Sequence, residues 1–124
     1  MELGARQWVI AEGYLPAWSH GPEPEMKSHG AVCILNAGDK DAHIEITIYY
    51  ADRAPVGPYR EIVPAQRTRH IRFNSLKDPE EITPGIGFSS VIAADVPVVV
   101  QYTRLDSRQA ENALMTTMAY AAAP

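Results

Sequence analysis

The chain has 124 residues, 46% of them hydrophobic and 21% charged, with a formal net charge of −4. That length forms a core without covalent staples, because a chain of this size hides roughly two-thirds of its unfolded surface. The single cysteine, Cys33, excludes an internal disulfide and a zinc site of paired thiolates, and the negative charge argues against bulk attraction to nucleic acid.

Ten prolines and eight glycines are spread along the chain and read as turn punctuation rather than as a linker. No apolar run reaches the roughly 20 residues that cross a bilayer. Residues 1–7 lack a basic stretch followed by an apolar one. These features lead us to expect one domain over residues 1–124, working in the cytoplasm.

In chain order, residues 7–11 form a candidate first strand. The short apolar run Val32-Cys33-Ile34-Leu35 is β-compatible, with Cys33 expected as a small buried hydrophobe. The turn chemistry of Asn36-Ala37-Gly38-Asp39 then predicts a hairpin into residues 43–50. In that segment Ile44, Ile46 and Ile48 share one parity, while His43, Glu45, Thr47 and Tyr49 share the other, the pattern of a half-buried strand.

Residues 59–63 and 67–73 continue the extended pattern across a break at Pro64-Ala65-Gln66. After a polar connection over 74–87, residues 89–93 and 98–104 read as two strands separated by Asp95-Val96-Pro97. The run Val98-Val99-Val100 is apolar on both parities and predicts a central strand covered on both sides. Residues 107–114 have helix-friendly content, and 115–120 return to an extended pattern. Seven or eight short strands at regular spacing predict an all-β antiparallel sandwich, jelly-roll-like.

No phosphate loop, GxGxxG, HExxH or GxSxG motif is present, so the expectation is a binding protein without catalytic, cofactor or metal residues. Several constellations still carry possible chemistry. Trp8, Tyr14 and Trp18 lie near Glu12, and rings beside carboxylates suit a sugar-like or flat small ligand; packing is the plainer reading for Trp8. His20, Glu23, Glu25 and His29 sit within ten residues and compose either a metal site or a rigid polar loop. Glu12 and Glu23 are a candidate glycosidase-type carboxylate couple, disfavoured because 124 residues leave little room for both a core and a deep cleft.

Arg67, Arg69, His70 and Arg72 form a basic stripe, read as a solvated face ahead of a DNA contact. Arg104, Asp106, Arg108 and Glu111 are the densest charge cluster. Arg–carboxylate pairs there hold a turn or clamp a partner.

Taken together, WVIAEGY (8–14), GPEPE (21–25), SH (28–29), CILN (33–36), DAHIEITIYY (41–50), PVGPYR (55–60) and TRLDSRQAENAL (103–114) resemble the soluble sensory rhodopsin transducer family. The resemblance runs from about residue 8 to residue 120, in one order. It implies a small cytoplasmic β-sandwich that assembles as a homotetramer and couples to a membrane photoreceptor or another receptor. Ligand or partner contacts are then expected at Trp8, Glu12, Tyr14, Trp18, Glu23, His29, Arg104, Asp106 and Arg108. One departure stands out: Tyr102 occupies a position where the family pattern leads one to expect histidine, so any role of that imidazole does not carry over. The apolar tail from Leu114 to Ala123 is the candidate subunit interface.

Overall fold

A computed structural model describes residues 2–109 and 111–123. Eight strands are present: β1 (Ala5–Gly13), β2 (His29–Asn36), β3 (Ala42–Tyr49), β4 (Val56–Val63), β5 (Arg67–Arg72), β6 (Phe88–Asp106), β7 (Ala113–Met118) and β8 (Tyr120–Ala123). A single 3₁₀ turn, Phe73–Ser75, follows β5. All pairings are antiparallel. One layer runs β4-β3-β6-β1-β8 and the other β5-β2-β6-β7. The all-β antiparallel sandwich expected from strand spacing is what forms.

The two layers share β6. Its first half pairs with β1 and β3, and its second half pairs with β2 and β7. The crossing lies at Asp95-Val96-Pro97, where two separate strands were expected. Between the pairs Gln7–Ala93 and Ala5–Val98, β6 spends more residues than β1, so the strand bulges there. A bulge re-aims a strand, and it accommodates a proline that has no N–H to give to the ladder. The turn signal was real, but it bends the strand from one sheet to the other instead of ending it.

The expected hairpin between residues 32–35 and 43–50 does not form. β2 lies in the layer with β5, whereas β3 pairs with β4 and β6 in the other layer. Asn36 is fully buried at the crossing, where its side-chain amide donates to Lys40 O at 2.8 Å and Val63 O at 3.1 Å. Those bonds fix a corner between layers. Residues 107–109 and 111–114 are not helical either. Ala113 already pairs with Asp106, because the free edge of β6 offers a ladder that outweighs weak local helix propensity.

The core follows the alternation of β3, with Ile44, Ile46 and Ile48 at 0–1% exposure against Val32, Ile34, Tyr59 and Tyr102. Val98 and Val100 are fully buried, while Val99 is only partly covered, so the central strand is sealed on one side rather than two. Cys33 is half-buried and outward-facing, with its Sγ 3.5 Å from Thr68 Oγ1, because β2 turns Val32 and Ile34 inward instead. Among the described residues no helix is long and apolar enough to cross a membrane.

Candidate functional site

At one end of the sandwich the last residues of β1 and β6 meet the loop over residues 14–28. Gly13 permits the approach: a Cβ there would lie 2.6 Å from the Phe88 ring. The loop is tied to the turn after β6 by two buried serines. Ser107 N–H donates to Ser28 Oγ at 2.9 Å, and Ser28 Oγ–H donates to Trp18 O at 3.0 Å. Ser107 Oγ–H donates to Met26 O. His20 N–H donates to Ser107 O, and its Nδ1 donates to Arg108 O at 2.8 Å. Loop and turn therefore form one braced unit.

On that brace stands an arginine–aromatic cluster. Arg108 grips Asp106 with two nitrogens, Nε to Oδ1 at 3.0 Å and a terminal nitrogen to Oδ2 at 2.7 Å. Its guanidinium also lies 5.5 Å from the ring centres of both Tyr14 and Trp18. Arg104 faces the same Tyr14 ring at 6.0 Å. Hydrogen bonding from Arg108 holds the Asp106 carboxyl below the usual carboxylate range and raises Arg108 in return. Trp18 remains 59% exposed, so the cluster is presented to solvent. Arginine over an aromatic face gains from the ring quadrupole, and the fork on Asp106 fixes its orientation.

Beside the cluster opens a recess of about 620 Å³, walled by Glu12, Tyr14, Tyr49, Ile86, Phe88 and Arg104. Among the described residues neither Glu12 nor Arg104 forms an ion pair. Near them the Tyr102 side chain is 1% exposed, and among the described residues its hydroxyl has no well-aligned hydrogen-bond partner. Burial raises the pKa of that hydroxyl; Arg104 and the Tyr14 backbone pull it down, and the Glu12 charge pushes it further up.

Six of the nine expected contact residues thus come together: Glu12, Tyr14, Trp18, Arg104, Asp106 and Arg108. Trp8 does not join them. It lies in the core at 6% exposure, with its indole N–H shared between Ala5 O and Val98 O at 3.0 Å each. It is therefore placed for packing and not for ligand contact. Glu23 is exposed on the loop, and His29, at the start of β2, donates from Nδ1 to Lys27 O at 2.7 Å. Among the described residues no group of three or more His, Cys, Asp or Glu side chains is placed to hold a metal, the loop with His20, Glu23, Glu25 and His29 included.

The basic stripe of β5 is largely committed. Arg69 pairs with Glu61 at 3.0 Å and caps Ile62 O, and Arg72 donates to Pro24 O. Sequence reasoning missed Tyr49, Phe88 and Ser107, and marked Tyr102 only as a departure from the family pattern.

A two-layer antiparallel sandwich with a braced arginine–aromatic end places the chain among all-β sandwich proteins. The chain belongs to the Anabaena sensory rhodopsin transducer family, whose model matches residues 3–121. It is 57% identical to the solved structure of the Anabaena sensory rhodopsin transducer, covering 83% of this chain and 100% of that one, with a TM-score of 0.75. A solved Thermotoga maritima protein, designated 1070, is 34% identical over 94% of each chain, with a TM-score of 0.84. No curated protein matches.

Proposed function

We propose that this protein is a transducer that relays the state of a membrane photoreceptor, or of another receptor, by docking its braced loop end on the receptor's cytoplasmic face. The observation that carries this reading is the Tyr14–Arg108–Trp18 stack clamped by Asp106. Arginine, tyrosine and tryptophan dominate the energetics of protein interfaces, above all when their rotamers are fixed before binding. Here the stack is solvent-facing and the serine brace holds its loop. Glu12, Glu23, His29 and Arg104 extend the same polar end. The family membership supports the role.

The transducer works as a homotetramer through β7 and β8, where Leu114, Met115, Met118 and Tyr120 are 47–71% exposed. A strand apolar on its open faces is a surface awaiting cover. A carbohydrate-binding reading loses one of its two tryptophans, because Trp8 is inside. A DNA-binding reading loses Arg69 and Arg72 to internal contacts.

The test is calorimetry against a sensory rhodopsin or a co-encoded membrane receptor. Arg108→Ala and Trp18→Ala are each expected to weaken association by roughly tenfold or more, corresponding to hot-spot losses above about 1.4 kcal/mol. Absence of measurable association with any such receptor overturns the proposal.

A further inference from the structure

Two recesses compete as ligand sites, and their charges decide between them. The larger, about 740 Å³ on the outer face of β3, β4 and β6, is walled by His43, Glu45, Arg60, Glu61, Arg69 and Asp95. Each of those groups already has a partner: His43 with Asp95 at 2.8 Å, Arg60 with Glu45 at 3.2 Å, Arg69 with Glu61 at 3.0 Å. A ligand entering there must break pairs to make pairs.

The recess at the loop end is the opposite case. It carries one carboxylate and one guanidinium on its wall, Glu12 and Arg104, which are not in contact with each other or with any counter-charge among the described residues. Other polar groups nearby are spoken for. Ser89 Oγ donates to Ala11 O, and Tyr50 Oη accepts from Thr83 N–H at 3.2 Å. The remaining wall is apolar or aromatic: Tyr14, Tyr49, Ile86, Phe88.

We infer that this recess binds a small zwitterion of the amino-acid class, its carboxylate on Arg104, its ammonium on Glu12, and its apolar side chain against Tyr14, Tyr49 and Ile86. Separated opposite charges select a ligand bearing both signs over a neutral polyol or a simple anion. Arginine supplies the forked donor that suits a carboxylate. The aromatic wall supplies the area that small-ligand sites use for affinity. The inference goes beyond the receptor contact and needs no receptor.

The test uses the full chain and three probes in thermal-shift and calorimetric titrations: L-phenylalanine, 3-phenylpropionate without the amine, and 2-phenylethylamine without the carboxylate. L-Phenylalanine is expected to raise the melting temperature, by roughly 10 °C at a concentration a hundredfold above Kd. Both one-charge probes are expected to bind roughly ten- to hundredfold more weakly. Arg104→Gln and Glu12→Gln should each erase the advantage of the zwitterion over the probe lacking the matching charge.

Equal binding of all three probes overturns the inference, as does an affinity unaffected by Arg104→Gln. A flat response to every proteinogenic amino acid at millimolar concentration does so too. A flat response with intact receptor association leaves the transducer proposal standing. Ligand binding without receptor association leaves only the recess.

Discussion

β3 and β7 both lie against β6, one along its first half and one along its second, and both are rich in apolar side chains. Their surroundings differ completely. Ile44, Ile46 and Ile48 of β3 alternate with polar residues and sit at 0–1% exposure beneath the opposite layer. All six residues of β7 are exposed, with Leu114 at 71% and Met118 at 54%. Both strands pair with β6, but β3 is paired with β4 on its other edge, whereas among the described residues β7 pairs with β6 alone. The larger difference lies in what covers the side chains. One strand completes a core within the chain, and the other offers its apolar atoms to something outside it.

The largest expected effect tests the covered half of that comparison. Ile46→Ala opens a cavity beneath β3 and is expected to lower unfolding free energy by about 2–5 kcal/mol, read from the urea midpoint at unchanged slope. Leu114→Ala, on the exposed strand, should stay within about 0.5 kcal/mol once subunits are separated by dilution. If the two costs are alike in the separated chain, β7 is packed and the contrast is void. The second effect is on assembly. On the proposed tetramer, the double substitution Leu114→Asp with Met118→Asp is expected to reduce the mass seen by light scattering from four chains toward one, with circular dichroism unchanged. A mass that does not change removes β7 from the subunit interface.

The same contrast explains what was legible in the sequence. β3 was readable because its period of two is unbroken and its turns flank it. The continuity of β6 was not, since Asp95-Val96-Pro97 carries the chemistry of a turn, and only the neighbours β1 and β2 show that it steers one strand between two layers. The extended pattern over 115–120 was readable, but the start of β7 at Ala113 hid behind Glu111 and nearby alanines, which favour helix locally; the edge of β6 overrode them. At the site, the arginines and Asp106 were visible as a charge cluster. Tyr14 and Trp18 were visible as aromatics near Glu12. Their convergence depends on the Ser28–Ser107 brace, which joins residues 79 apart and leaves no local mark. Trp8 shows the converse: the aromatic cluster near the N-terminus divides because β1 points Trp8 inward.

A third prediction sharpens the comparison between the two halves of β6, each of which holds a carboxylate with a depressed pKa. The backbone N–H of His43 lowers Asp95 beside β3, and Arg108 lowers Asp106 near β7. A carboxylate depressed on folding stabilises the native state above its unfolded value, near 3.9, and loses that contribution as pH falls through the lower folded value. Acid unfolding curves of Asp95→Asn and Asp106→Asn should therefore each lose part of the steepness seen below about pH 4. The change at Asp106 should also perturb Trp18 fluorescence, since Arg108 loses its clamp. A steepness unchanged in Asp106→Asn means that the Asp106–Arg108 fork is not formed in solution.

The smallest effect belongs to the outer face of β3. Arg60 and Glu45 meet across β3 and β4 with their side chains 73% and 52% exposed. Pairs so open to water are screened by salt and contribute about 0–1 kcal/mol. Arg60→Gln is therefore expected to shift the urea midpoint barely at all, and less still in high salt. A loss comparable to Ile46→Ala would mean that this face is covered in the assembled protein, making β3 a contact surface on its outer side as β7 is along its length. A negligible loss is what the proposed assembly through the exposed tail, and not through the outer face of the first layer, requires.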